Sequence, residues 1–227
     1  MTMSLEKQKP VWTKYAVTWL FPEPYKLCGQ VPSNPQLVQA WIDARKPSVM
    51  PAGGKTIDEI QEEVFASLPE TQEAPSILTF QRWEGCLVMR AATVRAHMKD
   101  CARIISAQFV GKIRGERSYA TRLINGTYLD PASYWLPILR PDGIPIREPD
   151  GKYDKPVHAR GPRGEQLNSL KTIEFLSPAR LDFQLRILGE SVKLADLETL
   201  FEYGGTHGYA GERGDGEGRY TYRIEQL

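Results

Sequence analysis

Leu181, Phe183, Leu185 and Ile187 alternate strictly with Asp182, Gln184 and Arg186. Successive side chains of a strand point to opposite faces, so this period of two predicts a strand with one face in a core and the other turned away. A helix would scatter the same residues around its circumference. The fold must therefore contain a sheet buried on one side. The pattern recurs near the start, where Tyr15, Val17, Trp19 and Phe21 interleave with Lys14, Ala16, Thr18 and Leu20. It closes the chain as well, with Tyr220, Tyr222 and Ile224 opposed to Arg219, Thr221 and Arg223.

Helical spacing separates these strands. Val94, Met98, Cys101 and Ile105 form one stripe while Arg95, Lys99 and Arg103 recur every four residues on another, which predicts an amphipathic helix with a basic face, Thr93 being placed to cap it. Leu194, Leu197, Leu200 and Phe201 predict a shorter helix, closed by Gly204-Gly205. Further upstream, Ser33-Asn34-Pro35 opens a helix bearing Leu37, Val38, Trp41 and Ile42. Thr56 with Glu59 forms a capping box ahead of Ile57, Ile60, Val64 and Phe65. Ile77 to Arg82 and Cys86 to Arg90 flank Trp83-Glu84-Gly85, the chemistry of a hairpin turn. Gly111 to Gly164 reads as an elaborated insertion, rich in Gly, Pro and charge, with short strands at Tyr134 to Leu139 and Pro156 to Arg160. Leu170 to Leu176 and the turn Ser177-Pro178-Ala179 lead into the strand of Leu181 to Ile187.

Without the insertions the order is strand, helix, strand, strand, helix, strand. This predicts an α+β, ferredoxin-like (RRM-like) fold: an antiparallel sheet with helices on one face. The expectation is a single domain over 1–227 with insertions at about 22–91 and 111–164.

The 41% hydrophobic content can fill such a core, and 29 Lys plus Arg against 28 Asp plus Glu leaves no field over the whole molecule, so any polyanion must be held by a local patch. Cys28, Cys86 and Cys101 are odd in number and form no CxxC pair, which argues against a disulfide framework or a zinc site and for a reducing, cytoplasmic setting. No apolar run approaches the length of a membrane span, so no membrane partner is expected. Gly53-Gly54-Lys55-Thr56 lacks the earlier glycine of a P-loop, and HExxH and GxSxG are absent. Neither a cofactor nor a metal is expected.

Between Gly204 and Gly218 stand seven glycines in fifteen residues. Glycine tolerates positive φ and close backbone approach, so the run suits contact with an extended phosphodiester. The same loop holds His207, Tyr209 and Arg213, although Glu212, Asp215 and Glu217 would repel phosphate; a plain surface loop is the alternative. The polar sheet face carries Arg186, Arg219 and Arg223, with Lys14 and Lys171 as further cations, and tryptophan or tyrosine from the insertions can stack on bases.

The short helix, the loop bearing Gly205, Gly208, Gly211, Glu212, Arg213, Gly216 and Gly218, and the strand opening at Arg219-Tyr220 resemble the C-terminal signature of the RAMP superfamily, the proteins that build CRISPR effector complexes. Gly85 to Lys99 is similar in place to that family's strand, loop and helix. It departs from the pattern in lacking the usual serine and glycine around Lys99. The resemblance implies a non-catalytic subunit that binds single-stranded guide RNA. It would work beside copies of itself and other subunits of an antiviral ribonucleoprotein, with RNA contacts at Thr93, Arg95, Lys99, Arg186, Gly208, Gly211, Arg213, Gly216, Arg219 and Arg223. A structural or assembly protein of a phage or bacterial complex is the second reading. A metal-independent endoribonuclease with His97 as general base is the third, because some relatives of the superfamily cleave RNA that way.

Overall fold

Trp12–Phe21 forms β1, with Tyr15, Val17, Trp19 and Phe21 buried and Lys14, Ala16, Thr18 and Leu20 on the more open side. The computed structural model describes residues 11–33, 76–109, 119–130, 134–160, 166–189 and 192–227. The two helices expected at Leu37 to Ile42 and Ile57 to Phe65 lie outside the described residues.

β1 is flanked by β11 (Ala179–Leu188) and β12 (Thr221–Gln226), both antiparallel, with Val17 opposite Phe183 on one side and Ile224 on the other. Two helices carry the buried side: α1 (Ala91–Phe109) and α3 (Leu194–His207), which pack against each other. Between them in the chain come α2 (Tyr119–Gly126) and the short β7 (Thr127–Leu129), which pairs antiparallel with β11. Chain order β1, α1, β7, β11, α3, β12 with β11 between β1 and β7 is the βαββαβ arrangement of an α+β, ferredoxin-like fold. The alternation expected of β11 is complete: Leu181, Phe183, Leu185 and Ile187 are buried.

The same sheet continues past β11 through β8 (Trp135–Leu139), β6 (Cys86–Arg90) and β5 (Gln81–Trp83). Strands β5 and β6 form the expected hairpin, Glu84 and Gly85 turning at φ 50 and 74. The apolar run from Ile77 to Arg82 is not one strand, however. It divides at Phe80, and its first half, β4 (Ser76–Thr79), joins a second sheet with β2 (Leu27–Cys28), β3 (Val31–Pro32), β9 (Gly151–Arg160) and β10 (Gln166–Leu176). Here β4 runs parallel to β10 while β9 runs antiparallel to it.

Trp19 is the hub of the core. Its fully buried indole stacks on Tyr220 at 4.3 Å and meets Phe183, Tyr209, His97 and Phe201 edge-on at 4.9 to 5.8 Å. Offset and T-shaped rings at such spacing add about 0.5–1.5 kcal/mol per pair beyond area burial. All five contacts come from residues distant in sequence, so the ring cluster ties α1, α3, β11, the glycine loop and the residue leading into β12 to β1.

One helix end differs from expectation. Gly204-Gly205 does not stop α3, which runs on to His207 and caps at Gly208 with φ 83. A Cβ on Gly204 would overlap the Tyr220 hydroxyl, and one on Gly205 the Tyr220 carbonyl. These two glycines let the helix lie directly on the backbone leading into β12; the cap falls at the first position needing positive φ.

Candidate nucleic-acid interface

The glycine loop is folded back on the protein itself. Tyr209 is buried in the ring cluster, its N–H donating to the Gly218 carbonyl at 2.8 Å, while the Gly218 N–H donates to Lys26 at 2.9 Å. Side chains at Gly208, Gly211 or Gly218 would press into the backbone at Glu217, Gly29 and Tyr209. The acidic residues expected to repel phosphate are paired within the protein, Glu212 and Glu217 turned inward and Asp215 half exposed. Glu212 is gripped by Lys155 at 2.7 Å and Lys171 at 2.6 Å from the second sheet, Asp215 also pairs with Lys155, and Glu217 accepts the Lys26 N–H at 2.6 Å. Burial alone would raise the Glu212 carboxyl, but the two ammonium groups outweigh it and hold the acid below its ordinary range. Close chain packing therefore accounts for Gly208, Gly211 and Gly218, whereas Gly216, at φ 85, faces the Arg219 guanidinium.

The predicted site residues fall into separate groups. On the helical side, Thr93 lies in the first turn of α1, which starts at Ala91, and its hydroxyl meets the Tyr209 hydroxyl at 2.6 Å and the Arg90 carbonyl at 2.7 Å. Arg95 stacks over Tyr128 at 5.4 Å and, with Lys99, lines a narrow gap against α2 and β7, so the basic stripe of α1 is partly packed. Arg213 reaches His207 at 3.2 Å and Asp100 at 3.8 Å. Arg219 stands apart, over the Tyr25 ring at 5.2 Å.

His97 is not on a surface. Only 5% exposed, it shares a hydrogen bond of 3.1 Å with the Tyr220 hydroxyl and lies 3.6 Å from the Cys101 sulfur. Burial first, then the Arg213 charge and His207, push its pKa down to about 3. Neutral and buried among aromatic rings, it is not presented to a substrate, which weighs against the general-base reading. His207 is displaced downward too, by burial and by Arg213, and stacks on Tyr203.

The side of β1, β11 and β12 turned from the helices is open among the described residues. Across it run Thr18, Arg180, Asp182, Gln184, Arg223 and Glu225, which line one shallow trough with Asp130 at its edge. Asp182 is held by Thr18 at 2.8 Å and by Arg180 at 2.8 Å, and Arg186 pairs with Asp130 at 2.9 Å. Lys14 and Arg223 have no carboxylate within ion-pair distance among the described residues, and both are exposed. Arg186 and Arg223 are thus the two predicted residues that the structure brings to one face, with Arg223 the freer cation.

The sequence reading expected tryptophan or tyrosine from the insertions without naming which, and a group of them meets on that same face. Register places Trp83 and Arg90 with Trp135, and Leu139 with Arg180, on one side of the sheet. The indoles of Trp83 and Trp135 lie 6.0 Å apart, 24° from parallel, with Tyr134 edge-on to Trp135 at 4.9 Å. The signal was present only as scattered aromatics; strand pairing alone reveals that they meet.

Among the described residues no three His, Cys, Asp or Glu side chains come together as a metal site, and no helix is long and apolar enough to cross a membrane. No family model matches the chain, and no curated protein does. Among solved structures it is similar to a chain from a cryo-EM structure of the Type III-B Cmr-beta complex bound to cognate target RNA, at 10% identity and a TM-score of 0.48. The match covers 95% of this chain and 61% of that one, so the chain spans under two thirds of the neighbour's length.

Proposed function

We propose that this protein is a non-catalytic RNA-binding subunit of a CRISPR-effector-like ribonucleoprotein, holding a single strand across the open face of its main sheet. One observation carries the reading: among the described residues no helix covers the polar face of β1, β11 and β12, and its carboxylates at Asp182 and Asp130 are matched by Arg180 and Arg186, leaving Lys14 and Arg223 against Glu225 alone. A polyanion gains from such cations by releasing counterions, and a flat antiparallel face is a surface on which RNA-recognition-like domains accept unpaired bases. The βαββαβ order supports the reading, although β7 stands where Leu170 to Leu176 was expected and that segment joins the second sheet. Partners are single-stranded RNA, further copies of the chain and other subunits.

Fluorescence anisotropy with single-stranded RNA tests this. Wild type binds, Lys14→Ala with Arg223→Ala binds several-fold more weakly, and protein as purified carries excess absorbance at 260 nm. Equal affinities for wild type and the double variant would remove the open face from the interaction.

An assembly protein is the second reading, favoured by β12. Among the described residues it ends the sheet and pairs with β1 alone, which offers its outer backbone groups to another chain. Self-association measured by light scattering, with no nucleic acid bound, would favour it.

A further inference from the structure

We infer that Trp83, Trp135 and Tyr134, with Arg90 beside them, form a base-stacking platform for single-stranded nucleic acid. This rests on the RNA-binding reading and adds a place where bases, rather than phosphates, are held.

Trp83 is 51% exposed and Tyr134 58%, so the outer ring faces lie in water instead of in the core. Isolated apolar side chains at a surface are ordinary, but three aromatic rings joined through Trp135 are a patch with a use. The patch is held in shape. Trp83 and Trp135 are nearly parallel at 24°, Tyr134 meets Trp135 at 89°, and the tight turn at Glu84 and Gly85 sets the angle of the Trp83 strand. Rings fixed before a ligand arrives lose little freedom on binding.

Charge selects the ligand. The Arg90 guanidinium lies 5.4 Å from the Trp135 ring and 5.6 Å from Tyr134, and no carboxylate among the described residues is within ion-pair distance of it. A cation held by aromatic faces keeps its N–H groups free for a phosphate while the rings accept the adjacent base. Lys14 and Arg223 stand on the same sheet face, several strands away, which suits one strand crossing from β12 to β5. An acidic or apolar peptide would use the rings without needing the distant cations.

Trp83→Ala tests the platform, since an exposed residue on a hairpin leaves the core intact, and Trp83→Phe keeps a stacking face. Anisotropy is measured with a single-stranded oligoribonucleotide and with an abasic strand of the same length. Trp83→Ala should bind the oligoribonucleotide about tenfold more weakly, Trp83→Phe should recover most of that, and the abasic strand should not distinguish the three proteins. RNA should also quench the wild-type tryptophan fluorescence. If Trp83→Ala binds RNA as wild type does, the platform is wrong while the Lys14 and Arg223 reading stands; if wild type binds no RNA, both fall. Equal weakening on the abasic strand, or lost self-association with RNA affinity unchanged, overturns base stacking in favour of a backbone or protein contact.

Discussion

At the scale of single residues, the glycines divide by what a side chain would meet. Gly218 sits at φ 72 with its Cβ position overlapping the Tyr209 backbone, while Gly214 has open space around it. Gly218→Ala should therefore cost at least about 2 kcal/mol, from strain and overlap together, and Gly214→Ala no more than about 0.5 kcal/mol. Urea midpoints of the two variants check this; equal midpoints would mean that the loop is not packed as described. His97 makes a second prediction. Its folded pKa of about 3 lies below the ordinary 6.5, so the unfolded chain takes up the proton first. The stability it contributes is whole above pH 6.5 and is lost as pH falls toward 3, at up to about 1.4 kcal/mol per pH unit. Between pH 7 and pH 5 wild type should lose about 2 kcal/mol more than His97→Gln, and the His97 ring protons should not titrate above pH 5 by NMR.

Among the elements, the loop after α3 is locked to the second sheet by Glu212 between Lys155 and Lys171. Glu212 has 6% of its side chain exposed and the lysines about a third, so removing the carboxylate leaves two half-buried cations facing each other. Glu212→Gln should destabilise by about 1–3 kcal/mol at pH 7. Because the carboxyl is held below its ordinary value, its contribution is present above pH 4.5 and fades as pH falls through the folded pKa, so the gap between the two proteins should be smaller at pH 3 than at pH 7. Denaturant titrations at both pH values decide it. This lock also shows where sequence reading stops. Strands β1, β11 and β12 and helix α1 were legible because a period of two or of 3.6 is written locally in each. The second sheet was not, since alternation in Ile77 to Arg82 says nothing about which partner each half will choose. Glycines at 204 and 205 read as a helix stop because the residue they make room for, Tyr220, is brought there by the fold. Glu212 read as repulsive to phosphate for the same reason: Lys155 and Lys171 are far off in sequence. That Arg186 and Arg223 share a face was legible from alternation, whereas the meeting of Trp83 and Trp135 required the pairing of β6 with β8.

For the molecule as a whole, near-neutral charge bounds how RNA can be held. With 29 basic against 28 acidic residues there is no long-range field, so affinity must come from the few cations left without carboxylates and from ring stacking. The salt dependence then has a definite size. If Lys14, Arg90, Arg219 and Arg223 each neutralise one phosphate, log K should fall with log salt at a slope of about −3, since single strands release roughly 0.7 counterion per contact. Lys14→Ala with Arg223→Ala should bring the slope to about −1.4, because two contacts are gone. Trp83→Ala should lower affinity and leave the slope unchanged, a stacked base carrying no counterion with it. Anisotropy titrations between 50 and 300 mM salt, a range of roughly sixfold over which such slopes are resolved, separate these outcomes. A slope near zero would place the binding energy in apolar contact alone and turn the open face toward a protein partner.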